Sequence, residues 1–366
     1  VTRFFKELEV RIPADVSVAR HCAGQMAGEL GFSSQRQAEV RLIASELAQN
    51  HLDHGTSGGM LRLGGLFFGD VPRMDIASMD RGPGIRSVES VLRRGADQPP
   101  SRTGLGAGLV SIRRLADRFF ICSGSSGPFA CPVVSGSVCC GTMIVVQCWL
   151  GKGEPAFLGA CGSLEVAGLV APRSETAPCG DNIFVRGDNR FVRIVMVDSP
   201  GVGSGGEATR RIGLRLRDIE LIWPPDQVLE FLRPVLAGDT AILVLCLDRL
   251  QQAVSCSGLG NIGAWLRIDN RIRRPVLRPS VTGNGWHRVS NALWRLEHSL
   301  ACVLHTDGLA PVAEEEAGPL LTALAPQRRD RGTGGRSVLP FLFHRLFSAD
   351  RRRQDDAALF MGVWQL

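Results

Sequence analysis

Two unlike α/β domains joined by a glycine-rich segment are what this sequence predicts. The first third alternates strand-like and helix-like hydrophobic patterns, and the part after the joint opens strand-rich. The length of 366 residues suits two cores better than one, since domains usually run ~100–200 residues. The predicted domains are 1–150 and 165–366, with 151–164 as the linker.

Composition removes several classes of protein. Hydrophobic residues at 44% and charged residues at 21% match the ordinary globular mix, which excludes disordered and fibrous chains. The longest apolar run, Ala241–Leu247, is far shorter than the roughly 20 residues of a membrane helix. No basic segment followed by an apolar stretch marks the N-terminus, so the expectation is a soluble, cytoplasmic protein with no membrane contact. The net charge of +6 comes from scattered arginines, without an aromatic-interleaved basic stripe, and no nucleic-acid partner is expected. The 11 cysteines form no C-x-x-C pair, and Cys139-Cys140 has no histidine at finger spacing. They read as buried reduced thiols rather than as a zinc or disulfide framework.

The elements follow from period and punctuation. Phe4 to Ile12 alternates at period two, as a half-buried strand does. A helix is predicted from about Ala14 to Leu30, ending at Gly31. Ser34 and Gln37 form a capping box for a second helix that runs to about His54 and stops at Gly55. Strands are predicted at Met60–Phe68 and Arg73–Met79. A Gly/Pro/Arg-rich stretch from Asp80 to Gly106, a helix over Leu109–Arg118 and a strand at Thr142–Trp149 follow. After the joint, Asn182–Val185 and Phe191–Val197 read as a hairpin turning at Gly187-Asp188-Asn189. Helices are predicted at Glu207–Leu216 and Asp226–Leu236. Strands are predicted at Ala241–Leu247, Ala253–Ser257, Ile262–Ile268, Leu300–His305 and Ala357–Val363.

Three motifs in the first domain carry chemistry. Glu46 and Asn50, four apart on one helix, project from the same face, and His54 continues the row. Such a pair can set a proton acceptor beside a Mg²⁺ ligand, and it can equally be a solvated polar face. Asp80 stands at a strand end before Gly82 and Gly84, where it can accept from an adenine amino group while the glycines admit the ring. Gly104, Gly106 and Gly108 open a helix whose unpaired N–H groups suit phosphate.

ELAQN (Glu46–Asn50), DRGPGI (Asp80–Ile85) and GLGAGL (Gly104–Leu109), in this order, resemble the three boxes of the GHKL ATPases. The short format, without a phospho-acceptor histidine domain, resembles the anti-sigma-factor serine kinases, particularly the stress-response switch kinases. The resemblance implies an N-terminal α/β sandwich that binds ATP and Mg²⁺. It implies Glu46 as catalytic base and Asn50 as Mg²⁺ ligand. Asp80, Gly82, Gly84, Gly104, Gly106, Gly108 and Thr142 then line the nucleotide site. One departure is the Ser/Gly/Cys-rich stretch from Ser123 to Gly141, where the family keeps a short turn.

In the second domain, Asp181, Asp198, Asp307 and Asp355-Asp356 stand at strand ends. Carboxylates converging this way suit a pair of Mg²⁺ or Mn²⁺ ions, which prefer oxygen ligands. Any one of them can also be a turn aspartate. The segments CGDNIFV (Cys179–Val185), VMVDSPGVG (Val195–Gly203), GLGNIGAWL (Gly258–Leu266), HTDGL (His305–Leu309) and QDDAALF (Gln354–Phe360) resemble PPM-type serine/threonine phosphatases of the sporulation and stress-response branch. That resemblance implies an α/β/β/α sandwich. Its implied metal ligands are Asp181, Asp198, Asp307, Asp355 and, through its backbone carbonyl, Ser199, with Asp356 off the metal. The family's Asp-Gly-x-Gly-His-Gly reads here Asp198-Ser199-Pro200-Gly201-Val202-Gly203.

Together the resemblances imply a partner-switching enzyme. One half phosphorylates a serine or threonine of an anti-sigma-antagonist-type protein, one with the sulfate-transporter and anti-sigma-antagonist domain. The other half removes such phosphate with two metals. The alternative is a nucleotide-binding, non-catalytic scaffold with a degenerate phosphatase domain, which the altered loop at 198–203 favours for the second half.

Overall fold

The computed structural model describes residues 5–54, 59–97, 107–123, 141–151, 153, 155, 158, 163–173, 179–199, 205–236, 239–277, 291–309, 317–318, 321 and 355–365. Gly104, Gly106, most of the stretch between Ser123 and Gly141, and the loop residues Pro200 to Gly203 lie outside them. Two compact units emerge, one formed by Thr2–Gly65 with Val71–Glu154 and the other by Pro155–Leu366 with Leu66–Asp70.

The first unit is a two-layer α/β sandwich. Its sheet has the order β1 (Phe5–Val10), β2 (Gly59–Phe68), β3 (Val71–Asp80), β5 (Thr142–Trp149), β4 (Arg118–Ser123). The pairs β1–β2, β3–β5 and β4–β5 are antiparallel. Against it lie α1 (Pro13–Glu29), α2 (Ser34–His54) and α4 (Ala107–Leu115), with α3 (Val88–Asp97) against α4. The buried residues of α2, from Val40, Ile43, Ala44 and Leu47 to Ala48 and His51, recur at helical spacing and form one stripe.

Ser33, not Ser34, caps α2: its Oγ accepts the Arg36 N–H at 3.3 Å and its carbonyl accepts Gln37 N–H. The Gln37 side chain turns to the Phe32 carbonyl instead of closing a capping box. Arg36, buried, ties the layer together by donating to Trp149 O (3.2 Å), Leu115 O (2.7 Å), Glu39 and Asp117. The helix predicted to reach Arg118 ends at Leu115, because Arg118 opens β4, whose Phe119-Phe120-Ile121-Cys122 run pairs with β5.

The second unit holds two antiparallel five-stranded sheets. One has the order β13 (Ala292–Arg295), β10 (Ala253–Leu259), β9 (Ala241–Asp248), β8 (Phe191–Asp198), β7 (Asn182–Gly187). The other runs β12 (Arg271–Arg273), β11 (Gly263–Ile268), β14 (Ser299–His305), β15 (Ala357–Gln365), β6 (Ser163–Ala171). The sheets meet along β7, which touches β6 and β15. Helices α5 (Gly205–Arg217) and α6 (Pro225–Leu232) cover the first sheet. There Ile212, Leu216, Val228, Leu229 and Leu232 pack on Val195, Val197, Ile242 and Val244. Burying each such side chain contributes ~1.5–3 kcal/mol.

The hairpin turns as expected, with Asp188 Oδ1 accepting the N–H groups of Arg190 and Phe191. The helix predicted over Asp226–Leu236 becomes α6 and a 3₁₀ turn at Arg233–Val235, because Pro234 supplies no N–H. Strands β4, β6, β12 and β13 and helix α3 are additions to the sequence reading. No helix among the described residues is long and apolar enough to cross a membrane. All seven described cysteines are free thiols.

Candidate functional sites

In the first unit, β3 delivers Asp80 to a backbone cradle. Asp80 Oδ1 accepts the Gly82 N–H at 2.8 Å and the Thr142 N–H at 3.1 Å, so the carboxylate is fixed between the two strand ends. Thr142 Oγ1 shares a 2.8 Å hydrogen bond with Ser123 Oγ, which also accepts the Ile85 N–H at 2.6 Å. Asp80, Gly82, Thr142 and Ser123 thus form one network. Ser123 is the member that sequence reasoning missed, since its strand went unread. Gly84 follows at φ +75°.

Glu46 and Asn50 are half-buried, one turn apart at the edge of the apolar stripe of α2. Glu46 reaches the first turn of α4: a methyl group at Gly108 would lie 2.6 Å from Glu46 Oε2. Glycine is what permits that approach, and it sets a carboxylate against a helix start with unpaired N–H groups. His51, on α2 but on its buried stripe rather than in that row, shares a 3.1 Å hydrogen bond through its Nε2 with Ser78 Oγ on β3, the strand that ends at Asp80. Burial pushes the His51 imidazolium pKa down, with the Asp80 carboxylate opposing the shift. His54, the row's next member in sequence, is exposed.

In the second unit, strand ends bring five carboxylates into one field. Asp181 is buried, and Thr306 Oγ1 donates to its Oδ2 at 2.7 Å while accepting the Ala358 N–H at 2.8 Å. Burial first, then the charge of Asp198, hold Asp181 well above the ordinary carboxylate range. Asp198 is raised to about 6 by burial and then by Asp307, with Asp355 adding to the repulsion. Its Oδ2 is buried without a hydrogen-bond partner among the described residues.

Asp307 Oδ2 accepts Asn261 Nδ2 at 2.8 Å, and Asp355 Oδ1 accepts the Asp356 N–H. Asp356 spends both oxygens on backbone, accepting Arg173 N–H and Gly180 N–H at 2.8 Å each. A methyl at Gly308 would lie 2.0 Å from the Asp356 carbonyl, so glycine alone lets the Asp307 turn approach the start of β15. Thr306 and Asn261 are additions to the sequence reading.

The donor set is all oxygen, which fits a hard divalent cation. An orphaned buried carboxylate oxygen and two carboxylates raised by burial and mutual repulsion fit it as well. No group of three or more His, Cys, Asp or Glu side chains among the described residues is arranged to hold an ion. Mg²⁺ itself commonly takes only one or two carboxylates and keeps several waters. Ser199 is buried, and its Oγ shares a 3.2 Å hydrogen bond with Thr240 Oγ1.

No protein-family model matches the chain. Among solved structures, RsbX in complex with magnesium is similar at TM-score 0.43 and 16% identity, over 55% of this chain and 95% of that one. The PP2C phosphatase domain of SpoIIE from Bacillus subtilis, with a fragment of its regulatory domain, gives TM-score 0.43 and 12% identity over 96% and 92%. The N-terminal region of this chain is 34% identical over 106 residues to the serine/threonine-protein kinase RsbT of Bacillus subtilis (strain 168). Those residues are 29% of this chain and 76% of RsbT, and on that share of RsbT the chain belongs to the family of this serine/threonine-protein kinase.

Proposed function

We propose that the chain is a partner-switching regulator with two opposed phosphoryl activities, each in its own unit. The first unit binds Mg-ATP and phosphorylates a serine or threonine of an anti-sigma-antagonist-type protein. The observation that carries this half is the Asp80 carboxylate held by two backbone N–H groups, with Glu46 of the Glu46–Asn50 row set against the start of α4 at Gly108. With Oδ1 held by two backbone N–H groups, Asp80 presents Oδ2 to the adenine amino group, and Thr142 flanks it. Gly82 and Gly84 admit the ring, and the start of α4 at Gly108 offers backbone N–H groups to the phosphates, a part the sequence motif extends to Gly104 and Gly106. The Asn50 carbonyl oxygen suits Mg²⁺. Glu46 takes the proton of the acceptor hydroxyl, a role that needs a carboxylate beside the phosphate-binding helix start.

The second unit hydrolyses phosphoserine or phosphothreonine. Asp181 and Asp198 are its principal metal-holding residues, with Asp307, Asp355 and the Ser199 carbonyl completing the oxygen set. These residues would hold Mn²⁺ or Mg²⁺, two ions in this reading, which would supply acidification of a water and neutralisation of phosphoryl charge. Thr306 and Asn261 orient Asp181 and Asp307, and Asp356 braces the backbone beside them. The orphaned Oδ2 of Asp198, amid carboxylates that repel one another, supports this half.

The test is incubation with candidate antagonist proteins and ATP, followed by phosphosite mass spectrometry. A second incubation of the phosphorylated product with Mn²⁺ and without ATP completes it. Phosphate gained in the first and lost in the second is expected. Loss of gain in the Asp80→Asn protein ties the first reaction to the cradle. A wild-type protein that never releases phosphate selects the scaffold reading for the second unit.

A further inference from the structure

The residue after Asp198 is where this chain departs from the phosphatases it resembles, carrying a side chain where they carry glycine. Among the described residues only Gln252 and Asp269 combine a side chain with positive φ, so Ser199 sits in backbone space open to any residue. The β8–β9 ladder ends with Asp198 opposite Ala241, which puts Ser199 and Thr240 on the next rung. Their hydroxyls meet at 3.2 Å, and both residues are only 2% exposed. A buried hydroxyl pair on facing positions extends the strand pairing by side chains, and each hydroxyl would be costly to leave alone.

We propose that Thr240 is a positioning residue of the carboxylate site: through its hydroxyl bond to Ser199 it pins the backbone on which Asp198 stands. This rests on the phosphatase reading above. Glycine at 199 would leave that backbone free to turn, and this chain replaces freedom with a cross-strand tether. The tether also accounts for a serine rather than a larger or apolar residue at the position, because only a short hydroxyl reaches Thr240 from the adjacent rung. Thr240 touches neither metal nor substrate in this role. Its effect is to hold the Asp198 carboxylate and the Ser199 carbonyl in one arrangement.

The experiment measures Mn²⁺ binding by calorimetry, Mn²⁺-dependent release of phosphate from phosphoserine peptide, and metal-free melting. The proteins are wild type, Thr240→Val, Thr240→Ser, Ser199→Gly and the double variant Ser199→Gly/Thr240→Val. Valine keeps the shape and deletes the hydroxyl, so Mn²⁺ affinity is expected to fall about three- to tenfold, the range a lost hydrogen bond gives. Thr240→Ser restores the hydroxyl and should bind as wild type does. In the Ser199→Gly background, Thr240→Val should change Mn²⁺ affinity less than twofold, since the bond is already gone. Equal Mn²⁺ binding by wild type and Thr240→Val overturns the proposal, as does an undiminished loss in the double variant. Wild-type protein that binds no Mn²⁺ overturns the phosphatase reading itself, a result distinct from either.

Discussion

The Thr306 hydroxyl donates to Asp181 Oδ2 at 2.7 Å, joining the end of β14 to the carboxylate at the start of β7. The same oxygen accepts the Ala358 N–H, so one fully buried side chain satisfies two partners. Replacing it by valine preserves the volume and strands both. Thr306→Val is expected to lose about 1–3 kcal/mol of stability, read by urea denaturation. Because this hydrogen bond lowers the Asp181 pKa, the variant should also need a higher pH for Mn²⁺ binding.

Asp198 gives the metal-free protein an unusual pH dependence. Its pKa is raised to about 6, against ~3.9 in an unfolded chain. The folded state therefore binds more protons than the unfolded state between these values, and stability falls as pH rises from about 4 to about 7. Asp181, also raised, acts in the same direction. Relative to Asp198→Asn, the wild-type melting temperature in chelator should decline across this range, while the buried His51, whose pKa is lowered, acts in the opposite direction equally in both proteins. Mn²⁺ should reverse it, since binding favours the deprotonated carboxylates.

Gly108→Ala separates folding from chemistry in the kinase unit. The added methyl meets only the far end of Glu46, which can swing aside. Alanine is also favoured over glycine in a helix by ~0.5–1 kcal/mol, so stability should hold or rise slightly. Phosphoryl transfer should fall at least about tenfold, because general base catalysis is worth ~10²–10⁴ and depends on where Glu46 stands. Unchanged transfer would remove Glu46 from the proposed role.

Arg36 holds four acceptors, on α2, α4, β5 and the turn between α4 and β4, two of them the carboxylates of Glu39 and Asp117. Its removal in Arg36→Ala leaves those carboxylates without their cation in a buried setting, which costs ~3–5 kcal/mol. Arg36→Lys keeps the charge but lacks the planar fork, and should fall between. Guanidinium denaturation of both variants checks the order.

What could be read from the sequence was local. Glu46 and Asn50 declare themselves by a four-residue step on a helix whose apolar stripe is plain, and each strand-end aspartate borders a visible hydrophobic run. What escaped was set by distance along the chain. Thr306 finds Asp181 across 125 positions and Asn261 finds Asp307 across 46, and no periodicity encodes such meetings. Ser123 was hidden for another reason: Arg118 extended a helical pattern by three residues and masked a strand whose phenylalanines should have marked it. The cap at Ser33 was misplaced by one, because Ser33 and Ser34 offer the same hydroxyl and only the Arg36 N–H chooses between them.

Asp356 has a consequence for how this chain can vary. Its two oxygens grip the backbone at Arg173 and at Gly180, so a single carboxylate fastens both ends of the intervening segment. Lengthening a chain between fixed ends adds only ~0.6 kcal/mol for each doubling. Sequence inserted there changes that segment while Asp181, one residue past the clamp, keeps its place. The position is thus a ready graft point, where an address for a new partner can be written without redrawing the carboxylate cluster beside it.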